Sequence, residues 1–353
     1  MVLDSIADEI SRHGPIPFER FMALALYSPD GGFFSSDVVR STHRGDFLTS
    51  PEVSPWFGRT LARPVAAVQR TLGGPFTLVE AGAGSGSLLR PLLGALERRP
   101  DEVLAVEVSP AARDALHDVA DRVLEAIPED RTVEGVVVAN ELVDNLPVSI
   151  VVSVSGRWEE RWVGLDGRRL ELVSAPARPD VEVWADRFGG PPADGVIVEV
   201  QLAAGRWLEH ALRFVERGAV IVFDYGGTTE ELQPRRSTGT LRTYRSHHLG
   251  PDPLLEPGAT DITVDVNFTA LADVAAGAGA SVEIHRQDEY LGANGLRDRL
   301  ADLRRRELDL ARSGDEWQRL AVRSELRDAE TIMHPRGLGD FRVLVATKGG
   351  NSL

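Results

Sequence analysis

Residues 80–86 read Glu-Ala-Gly-Ala-Gly-Ser-Gly, a carboxylate followed by three alternating glycines. Glycine lets the backbone turn sharply and lets a ligand come close, since no Cβ intervenes. The dinucleotide fingerprint G-x-G-x-x-G seats a pyrophosphate on a helix N-terminus. Here the spacing is G-x-G-x-G, with Ser87 where the third glycine should stand and Glu80 two positions before Gly82. A carboxylate at that position repels a pyrophosphate and suits a ligand with a cationic amino group, such as S-adenosylmethionine (SAM). Glu107 ends the next apolar stretch, 23 residues after Gly84, where an acid can take both ribose hydroxyls. The competing reading is a tight strand–helix turn with Glu107 as a surface acid.

A second polar group, Asn140, Glu141 and Asp144, follows the apolar run 135–140. The carboxyl end of a parallel strand faces the ligand crevice, so carboxylates there can orient an acceptor and take a proton. Alternatively, Asn140 or Asp144 caps the next helix and Glu141 is a first-turn acid matched to its dipole. Asp224-Tyr225-Gly226 ends a later run and either lines an acceptor pocket or supplies a packed strand-end aromatic. His247-His248 suggests metal ligands, but adjacent histidines on an extended segment point opposite ways and nothing nearby completes a site. No metal is expected. His248 is a candidate pocket base or hydrogen-bond donor, its neutral imidazole available at pH 7. Trp56, Trp158 and Trp162 read as core or hairpin packing rather than substrate cages.

The 353 residues carry 39 basic and 54 acidic side chains, a formal charge of −15, and the only lysine is Lys348. Cysteine is absent. Thiolate nucleophiles, disulfides, cysteine zinc sites and iron–sulfur clusters are thereby excluded, as are an internal Schiff-base lysine and a Walker A lysine. The acidic balance argues against nucleic-acid binding by bulk charge. No run approaches the ~20 apolar residues that span a bilayer, so no membrane is expected. The start has neither a secretory nor an Arg-rich transit pattern. Arginine in place of lysine, with abundant Ala, Gly and Val, points to a GC-rich bacterial genome, and the expected location is the cytoplasm.

The elements that must position these residues are legible in outline. Residues 4–13 read as a short helix, and Phe18, Phe21, Met22, Ala25 and Leu26 give a second its apolar face. Residues 35–50 are polar and irregular; Ser50-Pro51-Glu52 starts a helix with a kink expected at Pro64. From Phe76, strands at 76–80, 103–107, near 123–125 and at 135–140 alternate with helices. That rhythm predicts a parallel, doubly wound sheet. Residues 148–175 read as an antiparallel meander. The wound pattern resumes with a helix at 207–216 and a strand at 219–224. Residues 226–260 read as a long functional or mobile loop. The end reads as a helix (269–278), a strand (281–286), a helix (296–312) and a strand (341–347).

Several blocks kept in order resemble the MidA-like family of class I SAM-dependent methyltransferases, related to the mitochondrial complex I assembly factor that methylates a protein arginine. They are Gly14-Pro-Ile-Pro-Phe18, Phe21-Met22, Ala25-Leu-Tyr27, Gly45-Asp-Phe-Leu-Thr-Ser-Pro-Glu52, Phe57-Gly58, Glu107-Val-Ser-Pro110, Asn140 to Pro147 and Asp224-Tyr-Gly226. His248, Pro257-Gly258, Asp261 to Phe268, Gln287 and Gly337 to Phe341 continue the series, so the resemblance spans about Gly14 to Lys348. The chain departs from the family at Ala83-Gly-Ser-Gly, where a Pro then Gly-Arg-Gly is usual, and at Leu142-Val-Asp-Asn145, where Phe-Phe-Asp-Ala is usual.

The resemblance implies that Glu80, Gly82 and Gly84 hold the methionine end of SAM, Glu107 the ribose, and Asn140 the same cofactor, with Asp46 folding over it. It implies a protein arginine as acceptor. Glu141 or Asp144 would then orient the guanidinium by a bidentate hydrogen bond and take its proton. The absence of an Asn-Pro-Pro-Tyr cluster disfavours amide or adenine-amino methylation. Three parts are expected. Residues 1–72 form a helical extension covering the cofactor. Residues 73–147 and 193–353 form the core with its 226–260 loop, and 148–192 a β-hairpin insertion that binds the acceptor. The alternatives are O- or N-methylation of a small molecule, or a non-catalytic SAM-fold assembly protein; a homodimer is compatible with either.

Overall fold

Apolar residues recurring every three to four positions make the first helices. The computed structural model describes residues 2–35, 49–245 and 248–349. α1 (Val2–His13) buries Val2, Ile6 and Ile10. The short strand β1 (Ile16–Pro17) leads into α2 (Phe18–Tyr27), which buries the five-residue stripe its spacing predicts. After the single turn α3 (Ser50–Val53), α4 (Trp56–Leu72) contains Pro64 and continues through it as one helix.

Strands and helices then alternate as β2 (Thr77–Ala81), α5 (Leu89–Ala95), β3 (Glu102–Val106), α6 (Pro110–Asp114), β4 (Arg122–Leu124) and β5 (Val133–Asn140). The meander follows as β6 (Ser149–Val154), β7 (Arg157–Asp166) and β8 (Arg169–Pro176), then α7 (Pro179–Phe188) and β9 (Ile197–Val200). The core does not resume at 193, because β9 pairs antiparallel with β6, Ser149 opposite Val200. Val198 and Val200 pack on Val151, Trp158 and the buried face of α7. At its other end β7 pairs with β1, Ile16 opposite Val163, so extension and insertion share one five-stranded sheet.

α8 (Leu202–Phe214) starts at Leu202 rather than Trp207 and stops short of 216, since Val215 already pairs with Val133 in β10 (Val215–Asp224). The 226–260 stretch is not a long irregular loop. It holds β11 (Gly226–Gly227), α9 (Thr229–Leu232), β12 (Arg242–Arg245) and β13 (His248–Leu249), with β14 (Asp261–Thr263) and β15 (Val266–Asn267) just beyond. Polar pairing holds it: the Glu199 carboxylate accepts from the Thr240 amide at 2.7 Å and hydroxyl at 2.9 Å, and Asp265 accepts from Arg242 at 2.7 Å. Such bonds leave no hydrophobic period in the sequence.

The chain closes with α10 (Phe268–Gly277), β16 (Ser281–Arg286), α11 (Gln287–Leu291), α12 (Arg297–Ser313), α13 (Glu316–Ile332) and β17 (Arg342–Lys348). α13 goes beyond the sequence-based expectation, since it buries only Val322, Ala329 and Ile332. The main sheet runs β16-β17-β10-β5-β2-β3-β4, parallel from β10 to β4, with β17 antiparallel to both its neighbours. This is the expected doubly wound, Rossmann-like α/β architecture. One face packs Val103, Val138 and Phe223 under α4 and α5; the other packs Val79, Val137 and Val222 under α8 and α10. Strand order reverses between β2 and β5, which opens a crevice at their carboxyl ends.

Phe223 is fully buried near that crevice, its ring 5.0 Å from Phe57 and 5.6 Å from Tyr290. Phe223→Ala is expected to cost about 3–5 kcal/mol. In urea the midpoint should fall with the slope unchanged; an unaltered midpoint would show that this stack carries no stability.

Candidate functional site

The glycine turn after β2 is tied to its neighbour strand before it meets any ligand. The amides of Gly82 and Ala83 both donate to the Val106 carbonyl, at 2.9 and 3.1 Å. Gly82, Gly84 and Gly86 hold φ of 72°, 50° and 80°, the left-handed region in which a side chain is strained. A Cβ on Gly82 would also stand 3.1 Å from Leu142. The bend opens a cavity of about 270 Å³ over the ends of β2, β3 and β5.

Glu107 organises one wall. Its Oε2 accepts from the Gly84 amide at 2.8 Å and its Oε1 from the Ser109 amide at 2.8 Å. A carboxylate has about four lone-pair sites, so two remain for a diol. The surface-acid reading of Glu107 is overturned: it is 8% exposed and lines the cavity.

Glu80 and Asn140 supply the opposite requirement. Glu80 is 4% exposed and lines the cavity, and its Oε2 has no hydrogen-bond partner among the described residues. Burial, then the charge of Glu107, pushes its carboxyl well above the usual range. The Asn140 Oδ1 is likewise buried without a partner. Two orphaned acceptors on one cavity wall fit a cationic amino group, and the diol-ready Glu107 fits a ribose. The residues present therefore suit SAM.

Glu141 is a further lining carboxylate, beside Glu80, Glu107 and Glu125. It has a φ of 49°, rare for a residue with a side chain, and its amide donates to Phe223 O at 2.9 Å. Its Oε1 accepts from the Ser50 amide at 3.2 Å and from the Asn140 side-chain amide at 3.3 Å. Burial, then the neighbouring Asp144, pushes its pKa up to about 8. Only a three-residue 3-10 turn, Val143–Asn145, follows, with no side-chain cap, so the helix-cap readings of Asn140, Glu141 and Asp144 do not apply.

The other nominated catalytic residues lie elsewhere. That turn carries Asp144 beneath the end of β10, away from the cavity lining. There it is 3% exposed, its amide donates to Asp224 at 3.2 Å, and it accepts a short hydrogen bond from the Tyr225 hydroxyl. Its pKa is pushed up to about 7, chiefly by burial. Tyr225 therefore packs behind the site, its ring 5.6 Å from Phe341, and is not among the lining residues. His248 is exposed on β13, in register with Arg245, and does not line the cavity. Asp46 and His247 lie outside the described residues. Among the described residues no cluster of three His, Asp or Glu is placed to hold a metal.

Other lining residues had little or no signal: Tyr27, Phe34, Thr49, Ile127, Trp207 and His210. Tyr27 ends α2 and donates to the Asn145 carbonyl at 3.1 Å, a contact spanning 118 positions. Ser109 caps α6, and its amide orients Glu107 as well.

Known proteins resemble this chain in sequence and fold. A family profile described as "Putative S-adenosyl-L-methionine-dependent methyltransferase" matches residues 60–285. The mitochondrial protein arginine methyltransferase NDUFAF7 of Homo sapiens is 28% identical over 385 residues, covering 94% of this chain and 80% of its own. Its Drosophila melanogaster homolog is 29% identical over 300 residues, covering 74% and 67%. A superfamily member from Burkholderia thailandensis, crystallised with S-adenosyl-homocysteine, is 30% identical and superposes with a TM-score of 0.86 over 99% of this chain and 92% of its own.

The raised carboxyl of Glu141 has a consequence for stability. A group whose pKa rises on folding stabilises the folded state fully below its unfolded value and loses that contribution as pH climbs through its folded value. From 4.5 to about 8, the folded protein holds a proton that the unfolded chain has released. The ligand-free protein should thus lose stability as pH rises through this window, and Glu141→Gln should flatten the slope, with Asp144 retaining part of it. Urea unfolding across the window measures both; identical slopes would contradict the raised pKa.

Proposed function

Because the chain belongs to this family of S-adenosyl-L-methionine-dependent methyltransferases, we propose that it methylates an arginine side chain of a protein, with Glu141 orienting the acceptor. The observation that carries the proposal is Glu141 itself: a buried-edge carboxylate, strained at its backbone, on the same cavity wall as the orphaned Glu80 and Asn140 acceptors. Support for the acceptor class comes from the relatives named as protein arginine methyltransferases over most of the chain.

Glu80 and Asn140 would hold the cofactor's amino group, the left-handed Gly82–Gly84 turn would let its backbone-facing end approach, and Glu107 would take the ribose. When bound, SAM supplies an electrophilic methyl group. Guanidinium is protonated at neutral pH, with a pKa above ~12, so its nitrogen must be fixed in place and must give up a proton. An oxygen carries two lone pairs, and Oε1 of Glu141 already accepts two protein donors. Oε2 is therefore the oxygen left to receive the guanidinium N–H and then its proton. This single-oxygen contact replaces the expected bidentate one. Deprotonated Glu141 is the competent form, and its raised pKa makes it a stronger base than an ordinary carboxylate.

We assign the acceptor's approach to the side walled by Tyr27 and Phe34, where the N-terminal extension meets the second sheet. No described helix is long and apolar enough to cross a membrane. We place the protein in a bacterial cytoplasm, a reading supported by its arginine-for-lysine bias and its bacterial relative.

Two measurements test this. Calorimetry should show SAM binding, weakened at least about tenfold by Glu80→Gln, the loss of one charge-assisted contact. Labelled-methyl transfer in a lysate should place label in methylarginine of a protein. Glu141→Gln should retain SAM affinity while slowing transfer by about 100-fold or more. Label confined to the low-mass fraction would refute a protein acceptor, and unchanged turnover in Glu141→Gln would remove its role.

A further inference from the structure

We propose that Gln287 is a positioning residue for methyl transfer, acting through Ser50 to hold the Glu141 carboxylate with a single oxygen free toward the cavity. The inference rests on the reading of Glu141 as the group that receives the acceptor's proton.

Gln287 opens α11 directly after β16 and is fully buried. Its amide N–H donates to the Phe341 carbonyl at 2.8 Å, and its side-chain Nε2 donates to Ser50 Oγ at 3.1 Å and to the Ile332 carbonyl at 3.1 Å. Its Oε1 has no partner among the described residues. Burying an amide with its oxygen unsatisfied is costly, whereas a methionine would fill similar space without that cost. What the glutamine adds over an apolar side chain is the two bonds from Nε2. One of them anchors α13 at Ile332; the other reaches α3, 237 positions away in sequence.

That second bond ends one residue-step from the chemistry. Ser50 is fully buried and its backbone amide is a donor to Glu141 Oε1 at 3.2 Å. Asn140 fills the other lone pair of the same oxygen. Ser50 sits in a single helical turn that cannot hold its own position by helical cooperativity. Gln287 gives that turn a fixed point in α11, which packs with α4 and α13 on the same face of the sheet. Asn140 of β5 and Ser50 of α3 thus meet on one carboxylate oxygen, with Gln287 of α11 and Ile332 of α13 behind Ser50, while the left-handed backbone at Glu141 fixes the root of the side chain. Such positioning affects rate directly, since a displacement of about 1 Å can cost on the order of 100-fold in turnover.

The test uses Gln287→Met, Ser50→Ala and the double variant in the full-length chain. Ser50→Ala removes the hydroxyl and leaves the backbone donor intact, so it isolates the bond to Gln287. Transfer of labelled methyl from saturating SAM into the proteins of a lysate from cells lacking the enzyme is measured across pH, beside SAM affinity by calorimetry. Each single variant is expected to slow transfer by about tenfold. SAM affinity should stay within about twofold, and the double variant should be no slower than the slower single one, because both break one interaction. The Ser50 donor favours charged Glu141, while Asp144 and Glu52 oppose it, so the activity midpoint should move to higher pH in all three.

A lowered melting temperature with unchanged rate per folded molecule would mean that Gln287 only stabilises the fold, and would overturn the proposal. So would losses that add in the double variant, or affinity losses equal to the rate losses. If the unaltered enzyme labels no protein, the arginine reading fails separately. The contact is then followed by 13C titration of glutamate-labelled enzyme with S-adenosylhomocysteine bound, the Glu141 signal being assigned with Glu141→Gln. Gln287→Met should raise its midpoint by about half a pH unit or more; an unmoved midpoint overturns the proposal.

Discussion

The site depends on the cost of burying negative charge without arginine. Glu80, Glu107, Glu141, Asp144 and Asp224 crowd the carboxyl ends of β2, β3, β5 and β10, and none forms an ion pair among the described residues. Elsewhere the chain treats buried acids differently. Glu160 receives Arg178 at 2.8 Å, and Asp265 receives both Arg235 and Arg242. In the crevice, backbone amides replace guanidinium groups. Asp224 accepts from the amides of Val143, Asp144 and Tyr225, and Glu107 from those of Gly84 and Ser109. Amides supply orientation with only partial charge, so the buried carboxyls of Glu80 and Glu141 stay under-compensated and hold their protons more tightly.

That deficit of compensating charge explains why a cationic ligand suits the cavity better than a phosphate. It also explains the division of labour between carboxylates. Asp224 has both oxygens engaged by amides and acts as a fixed strut, while Glu107, held by two amides, keeps a lone pair on each oxygen. Glu80 leaves Oε2 buried without a partner among the described residues, and in the proposed reaction Glu141 would offer its Oε2 to the acceptor. The raised proton affinities of Glu80 and Glu141 follow from having too few donors for a buried charge. A bound cation removes that deficit, so ligand affinity and local stability are linked through the same two side chains.

The cofactor half of the site was legible because it is written contiguously. Glu80, Gly82, Gly84, Glu107, Asn140 and Glu141 all follow strands whose apolar runs announce themselves, and all line one cavity. Asp144 has the same sequence context, yet a 3-10 turn takes it behind the wall, and a residue-by-residue reading contains no rotation angle. His248 looked competent by chemistry, but its exposure depends on a small sheet held by Glu199 and Asp265, whose polar bonds have no period. β9 and β1 were invisible as partners of the insertion because pairing is a long-range choice between equally apolar strands. The contacts that orient Glu141 are further still from local patterns, since Ser50 meets it from 91 positions away and Gln287 bonds Ser50 across 237.

The same long-range contacts change how the covering parts should be divided. A helical cover and a β insertion could move separately if each were tethered only to the core. Here β1 lies in the insertion's own sheet, and Arg178 bonds Glu160 of β7, Ser149 of β6 and Glu19 of α2 together. Arg206 of α8 adds a second bond to Glu19 at 2.8 Å. A guanidinium shared by three elements resists shear between them, since pulling Arg178 away would leave the buried Glu160 carboxylate unpaired. Extension and insertion therefore form one body, and Tyr27 carries its position to the Asn145 carbonyl beside the Glu141 turn. A ligand seated on that body would thus be linked through Tyr27 to the turn that follows Glu141.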